Sequence, residues 1–128
     1  MAVTEAVENY LETILILSEL QPEVHAIDIC SYLGYSRPTV SIILKKMKDD
    51  NLVTVDSDNH IQLTGEGKII AERMYERHTI ISEILMRLGV NKETAIADAC
   101  KIEHDISDET FNAFKNHYKQ YEKKPDNV

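Results

Sequence analysis

Cys100, Glu103 and His104 are the residues whose types and spacing point most directly to chemistry. They stand three and four positions apart in the run CKIEH, so on a helix they share one face and can converge on one point. A thiolate, a carboxylate and an imidazole together suit a first-row transition metal, whereas calcium and magnesium take oxygen donors. Near the start, Asn9 and Glu12 are again three apart on one helical face, and His78 falls in the middle of a long helical segment as a further contributor. Each residue also has an ordinary use: Cys100 in a core, Glu103 and His104 as a solvated charge and a surface histidine, Asn9 and Glu12 on a helix surface, His78 as a half-buried side chain. Spacing alone leaves both readings open, because such sets arise often on helices. No nucleophile–base constellation and no phosphate-cradling glycine loop occurs, and the Glu-x-x-His motif that di-iron bundles use twice is missing. An enzyme is not expected.

A second set of residues begins at Ser36. Ser36, Arg37, Pro38, Thr39, Ser41 and Ile42 open a helical segment with small, polar or compact side chains, and Lys45, Lys46 and Lys48 follow with no acidic residue among them. A helix that enters the major groove needs small or polar leading residues to reach base edges and a basic flank to meet phosphate. The net charge of −8 argues against a nucleic-acid partner. The acidic residues, however, concentrate in the first helix and around Glu103 to Glu109, which leaves this stretch locally basic.

Helical periodicity predicts a first helix over residues 4–20, with Thr4 as N-cap and Gln21-Pro22 as its end. A short helix over about 26–33 closes on Gly34, and a third, capped by Ser36 with Pro38 in its first turn, reaches about Asn51. Two β segments, 52–55 and 61–63, flank the turn-rich tetrad Asp56-Ser57-Asp58-Asn59, which predicts a hairpin. Thr64 then caps a long helix to about Leu88 that tolerates Gly65 and Gly67 in its first turn, and Gly89 stops it. A fifth helix over about 92–104 and a sixth, capped by Ser107 and reaching about Tyr121, complete the series. Helix, turn, helix and hairpin in that order make a winged helix-turn-helix. The fold expected is mainly α with a small β-hairpin wing.

At 128 residues and 43% hydrophobic, the chain suits one core or a reading head fused to a second helical unit. No apolar run approaches the roughly 18 residues a membrane span needs, and MAVTEAVENY lacks the basic-then-apolar layout of a secretory signal. A cytoplasmic protein with no membrane partner and no organic cofactor is expected. Cys30, among Ala26, Ile27, Ile29 and Leu33, reads as a buried small hydrophobe, and no disulfide framework is expected.

The segments ENYLETILIL, DICSYLGYSRPTVSIILKKMKDDNLV, LTGEGKIIAERMYERH and ACKIEHDISDET together resemble the diphtheria toxin repressor family of metal-dependent regulators, including its short manganese-transport-regulator branch. The likeness covers about residues 5–121. It implies a winged-helix DNA-binding domain (1–70), a helical domain that binds metal and dimerises (71–122) and a frayed tail (123–128). It further implies a homodimer that represses metal-uptake genes from a palindromic operator when metal is plentiful. The family's first-helix ligand falls on Asn9, where relatives carry Met or Asp; Glu12 matches a ligand of the manganese branch, and His78, Glu103 and His104 match family ligands. Cys100 matches the iron-responsive branch, where the manganese branch has Glu, and the soft thiolate favours Fe²⁺ first and Mn²⁺ second. Ser82 and Ile96 stand where the iron branch has second-site Glu and His, so that ancillary site is not expected, nor is the SH3-like domain of its longer members. Ile80, Ile81, Ile84, Leu85 and Leu88 are candidates for the dimer contact, the intramolecular core or both. The alternatives are a winged-helix regulator of a non-metal ligand, for which Asn9 is the best support, and a helical metal-binding or storage protein.

Overall fold

The computed structural model describes residues 3–123. The element order is α1 (Glu5–Leu20), α2 (Ala26–Leu33), α3 (Arg37–Asp49), β1 (Val53–Val55), β2 (Ile61–Leu63), α4 (Gly65–Arg87), α5 (Lys92–Ile102) and α6 (Asp108–Lys123). The chain divides into two compact units, one to Met74 and one from Tyr75 onward, with α4 contributing to both. Six helices and one antiparallel hairpin give the winged helix-turn-helix followed by a helical region that the sequence predicts. The expected frayed tail lies outside the described residues, except for Lys123, which closes α6.

Local chemistry explains most element boundaries. Thr4 Oγ1 accepts from the Val7 N–H (3.2 Å) at the start of α1, and Ser36 Oγ accepts from the Thr39 N–H (3.4 Å) at the start of α3. Gly34 closes α2 in the left-handed region at φ 74°. The third helix stops short of the expected Asn51: Asn51 is itself left-handed (φ 61°) and its N–H donates to Lys48 O (3.1 Å), while Leu52 N–H reaches back to Met47 O (2.8 Å). These are the two bonds of a Schellman cap, and they also hold Leu52 out of the first strand, which begins at Val53.

In the first unit Tyr10, Leu11 and Ile14 of α1 pack with Ile29 of α2, Val40 and Met47 of α3, and Val53 and Ile61 of the wing. Each such side chain contributes roughly 1.5–3 kcal/mol relative to exposure. The hairpin pairs Val53 with Leu63 and Val55 with Ile61, and Ile61 N–H donates to Val24 O (2.8 Å), tying the wing to the segment before α2. In the second unit Ile80 and Ile81 meet Ala99 and Phe111, with Ile84, Leu85, Ile102 and Ile106 around them. Of the residues considered for a dimer contact, Ile80 and Ile81 are therefore core, whereas Leu88 is 75% exposed.

Gly67 is required where the sequence suggested only tolerance. A Cβ there would lie 2.1 Å from the Leu52 carbonyl oxygen, a backbone atom that cannot swing aside, whereas one on Gly65 meets nothing within 4 Å. Gly67→Ala should lower unfolding free energy by about 2–3 kcal/mol in urea denaturation, as overpacked sites do. Gly65→Ala should be neutral or stabilising by about 0.5 kcal/mol. At the wing tip the N–H groups of His60 and Asp58 both donate to Asp56 Oδ1 at 2.9 Å. The His60 backbone bond, foremost, lowers the Asp56 pKa; desolvation opposes it, and the Asp58 bond and the nearby histidines add to the lowering. A lowered folded-state pKa means that these bonds hold above the ordinary aspartate range and are lost as pH falls through the lower value. In an NMR titration the Asp56 carboxyl and the Asp58 and His60 amides should share one midpoint below the ordinary aspartate value; a normal midpoint would contradict this.

Candidate functional site

The second unit gathers four of the predicted ligands. α5 ends at Ile102, two residues earlier than expected, and Glu103 is its C-cap, still in right-handed helical geometry with its N–H bonded to Ala99 O (2.9 Å). The helical turn therefore persists far enough for one ligand atom each from Cys100, Glu103 and His104 to lie within 4.8 Å of one another. Glu103 is wholly buried and the His104 side chain is 3% exposed, so neither is the solvated group that its type alone suggests. From α4, His78 Nδ1 stands 3.0 Å from Glu103 Oε2. In the tautomer that donates from Nδ1 to this carboxylate, Nε2 keeps the lone pair that a metal ion takes. Glu103 Oε1 has His104 Nε2 at 3.4 Å but accepts no hydrogen bond among the described residues.

A wholly buried carboxylate with one oxygen lacking a hydrogen bond, set among imidazole nitrogens and a thiol, fits a divalent transition cation. The position reinforces this, because the C-terminus of α5 presents the negative end of its dipole and carbonyls without helical partners. Asn9 and Glu12 lie one turn apart on α1 in the first unit, Glu12 buried and Asn9 half-buried. Ser82, where a second-site carboxylate was considered, is buried with its hydroxyl donating to Thr79 O (3.1 Å), and Ile96 is partly exposed.

In the first unit, α3 is anchored by Val40 and Met47, both wholly buried. Its outer face presents Arg37, Pro38, Thr39, Ser41, Ile42, Lys45, Lys46 and Lys48, all exposed. Ser36 is the cap residue, and its hydroxyl is engaged with both the N–H and the hydroxyl of Thr39 (3.4 and 2.9 Å), so its role is to start the helix. A groove beside α3 is lined by Arg37, Lys45 and Lys48, by His25 at the start of α2 and by Asn59 of the wing, with Asp49 and Asp58 at its margin. A cationic helix beside a hairpin in this arrangement can lie along a phosphate backbone.

Comparison with known families gives a match to the model described as "Iron dependent repressor, N-terminal DNA binding domain" over residues 2–61. The model described as "Iron dependent repressor, metal binding and dimerisation domain" matches residues 64–127. The chain belongs to the diphtheria toxin repressor family of metal-dependent transcriptional regulators. It is 36% identical over 111 residues to the transcriptional regulator MntR of Escherichia coli O6:H1, covering 87% of this chain and 72% of that one. It is 32% identical over 106 residues to the iron-dependent repressor IdeR of Mycobacterium tuberculosis, covering 82% of this chain and 46% of that one. Among solved structures, that of the manganese regulator SloR superposes with a TM-score of 0.78 at 29% identity, covering 91% of this chain and 54% of that one. The chain thus spans about half the length of that structure. Members of the family are regulators, and a divalent metal, a DNA-binding head and a dimerising region are its shared features. No helix among the described residues is long and apolar enough to cross a membrane.

Arg77 is the residue of this family member that sequence reasoning missed. Its side chain is buried, and Nη1 donates to Glu103 O (3.0 Å) and Ile106 O (2.8 Å). Nη2 pairs with Asp108, and the guanidinium lies 5.3 Å from the Phe111 ring centroid. It therefore pins the turn between α5 and α6 that carries Glu103 and His104. The available signal was positional: Arg77 lies three residues after Met74 and four before Ile81, both core residues, so a cation occupies an inward-facing helix position. Arg77→Ala should cost about 3 kcal/mol by leaving a buried and a partly buried carbonyl without donors, and it should weaken metal binding measured by calorimetry. Unchanged metal affinity in a folded Arg77→Ala protein would limit Arg77 to stability.

Proposed function

We propose that this chain acts as a homodimeric repressor of metal-uptake genes, gripping a palindromic operator when Fe²⁺, or else Mn²⁺, occupies a site built from His78, Cys100, Glu103 and His104. Glu12 and Asn9 of α1 complete the ligand set in this reading, Glu12 as a carboxylate and Asn9 through its amide oxygen. The observation that carries it is the buried Glu103 carboxylate, flanked by His78 and His104 and lacking a hydrogen bond to Oε1.

A bound divalent cation supplies the positive charge that this carboxylate otherwise lacks. The chain's own residues do the rest. His78 is held by the contact of its Nδ1 with Glu103 Oε2, and Arg77 fixes the backbone of the ligand-bearing turn. With Glu12 on α1 and the other ligands in the second unit, ligation couples the reading head to the dimerising half. Operator affinity then rises by the difference in cation affinity between the DNA-competent and incompetent states. Two copies of α3, set about 34 Å apart, would read successive major-groove turns, with Lys45, Lys46 and Arg37 on phosphate and Pro38, Thr39, Ser41 and Ile42 toward the bases. The Cys100 thiolate supports ferrous iron; manganese is supported by relatives such as the MntR proteins and SloR, the latter described as a manganese regulator.

Anaerobic anisotropy titrations on DNA enriched by the protein from a random pool should show roughly 5- to 150-fold tighter binding with Fe²⁺ or Mn²⁺ than with chelator, the usual range of allosteric coupling. Glu103→Gln and His104→Ala should lose that response while sedimenting as dimers. Equal binding with cation and with chelator would overturn the proposal, and a preserved response in either variant would remove that residue from the site.

A further inference from the structure

Ile42 is 70% exposed on α3, the helix of the DNA-binding head whose outer face is otherwise mostly polar or basic. At about 100° per residue it stands roughly 160° around α3 from Val40 and roughly 140° from Met47, the two wholly buried anchors. It therefore points away from the core, and it does not line the groove between α3 and the wing. No fold requirement places an isoleucine there. Its neighbours on that face are Pro38 and Thr39 one turn before it, and Lys45 and Lys46 one turn after it, all exposed. The face is thus a small apolar patch of ring methylenes and methyl groups, followed by two cations.

We propose that Ile42 is a specificity-determining residue that packs on the C5-methyl of a thymine in each operator half-site. Among the base edges of the major groove only thymine carries a methyl group, and an aliphatic side chain without donors or acceptors distinguishes it by apolar contact alone. Lys45 and Lys46 suit the phosphates beside such a base, which brings the apolar patch down onto base edges instead of leaving it over the backbone. The same chemistry predicts discrimination against cytosine, whose N4 amino group would lose its water against Ile42 with no acceptor in return. This inference rests on the DNA-binding reading above and adds to it the identity of one base.

The test is parallel selection from a randomised duplex pool with the Mn²⁺-loaded full chain, wild type and Ile42→Ala, followed by affinity measurement on the enriched duplexes with single thymines replaced by uracil. Wild type should enrich one invariant thymine per half-site that Ile42→Ala does not require. Uracil at that position removes one methyl and should weaken wild-type binding roughly 4-fold per half-site, about 15-fold in a symmetric duplex, with little effect on Ile42→Ala. The Ile42→Ala protein should keep its unfolding midpoint and its metal response. Enrichment of the same motif by both proteins, or no position at which uracil weakens wild type, overturns the assignment and leaves the repressor reading standing. A pool enriched by neither protein, with or without Mn²⁺, overturns both.

Discussion

Burying the Glu103 carboxylate is the constraint around which the second unit is organised. An acidic group in a low-dielectric interior is strongly disfavoured unless cations or hydrogen-bond donors surround it. Here it stands at the C-terminal end of α5, where the helix dipole adds further negative potential. Two imidazoles offset part of this, one through a hydrogen bond to Oε2 and one at 3.4 Å from Oε1. Arg77 is also close, but its donors go to the carbonyls of Glu103 and Ile106 and to Asp108, so it fixes the backbone and leaves the carboxylate to other partners. A fold selected only for stability would place a leucine or methionine at such a position. Retaining a carboxylate there makes sense when a cation completes the site.

The first unit answers a different demand. Its helices begin on side-chain caps or end on left-handed residues, and the wing is tied back by the Ile61 to Val24 hydrogen bond. With Val40 and Met47 fully buried and Ser36 engaged at the N-terminus, the outer face of α3 has no structural duty. Its side chains are free to be chosen for recognition. Separating buried anchors from an uncommitted outer face lets such a helix change its reading while the scaffold stays the same.

Local signals in the sequence were read reliably, and non-local ones were not. Thr4, Gly34, Ser36, Thr64 and Gly89 announce helix ends because a cap is a contact between residues a few positions apart. The hairpin was legible in Asp56 to Asn59 for the same reason. The early end of α3 was not, because Asn51 is compatible both with a last helical residue and with the left-handed turn that returns Leu52 N–H to Met47 O. Nor could spacing say whether Glu103 and His104 are solvated, since Glu103 meets His78 of α4 from 25 residues away. Gly67 and Arg77 went unrecognised because their meaning lies in partners 15 and 26–31 residues away, the Leu52 carbonyl and the turn before α6.

The acidity of the chain, which at first opposes a nucleic-acid partner, is better understood as part of how it discriminates. Non-specific affinity for DNA scales with the number of phosphates neutralised, and only Arg37, Lys45, Lys46 and Lys48 stand on the exposed face of α3 against a net charge of −8. Screening confines interaction between exposed charges to about 8–10 Å at physiological ionic strength, so the carboxylates that matter most to this basic strip are near ones such as Asp49 and Asp58, which share its groove and temper it. A strongly basic protein would stay on DNA whatever its metal state, and a coupling of 1–3 kcal/mol would hardly change its occupancy. A chain whose electrostatic attraction is modest lets the same coupling decide between bound and free.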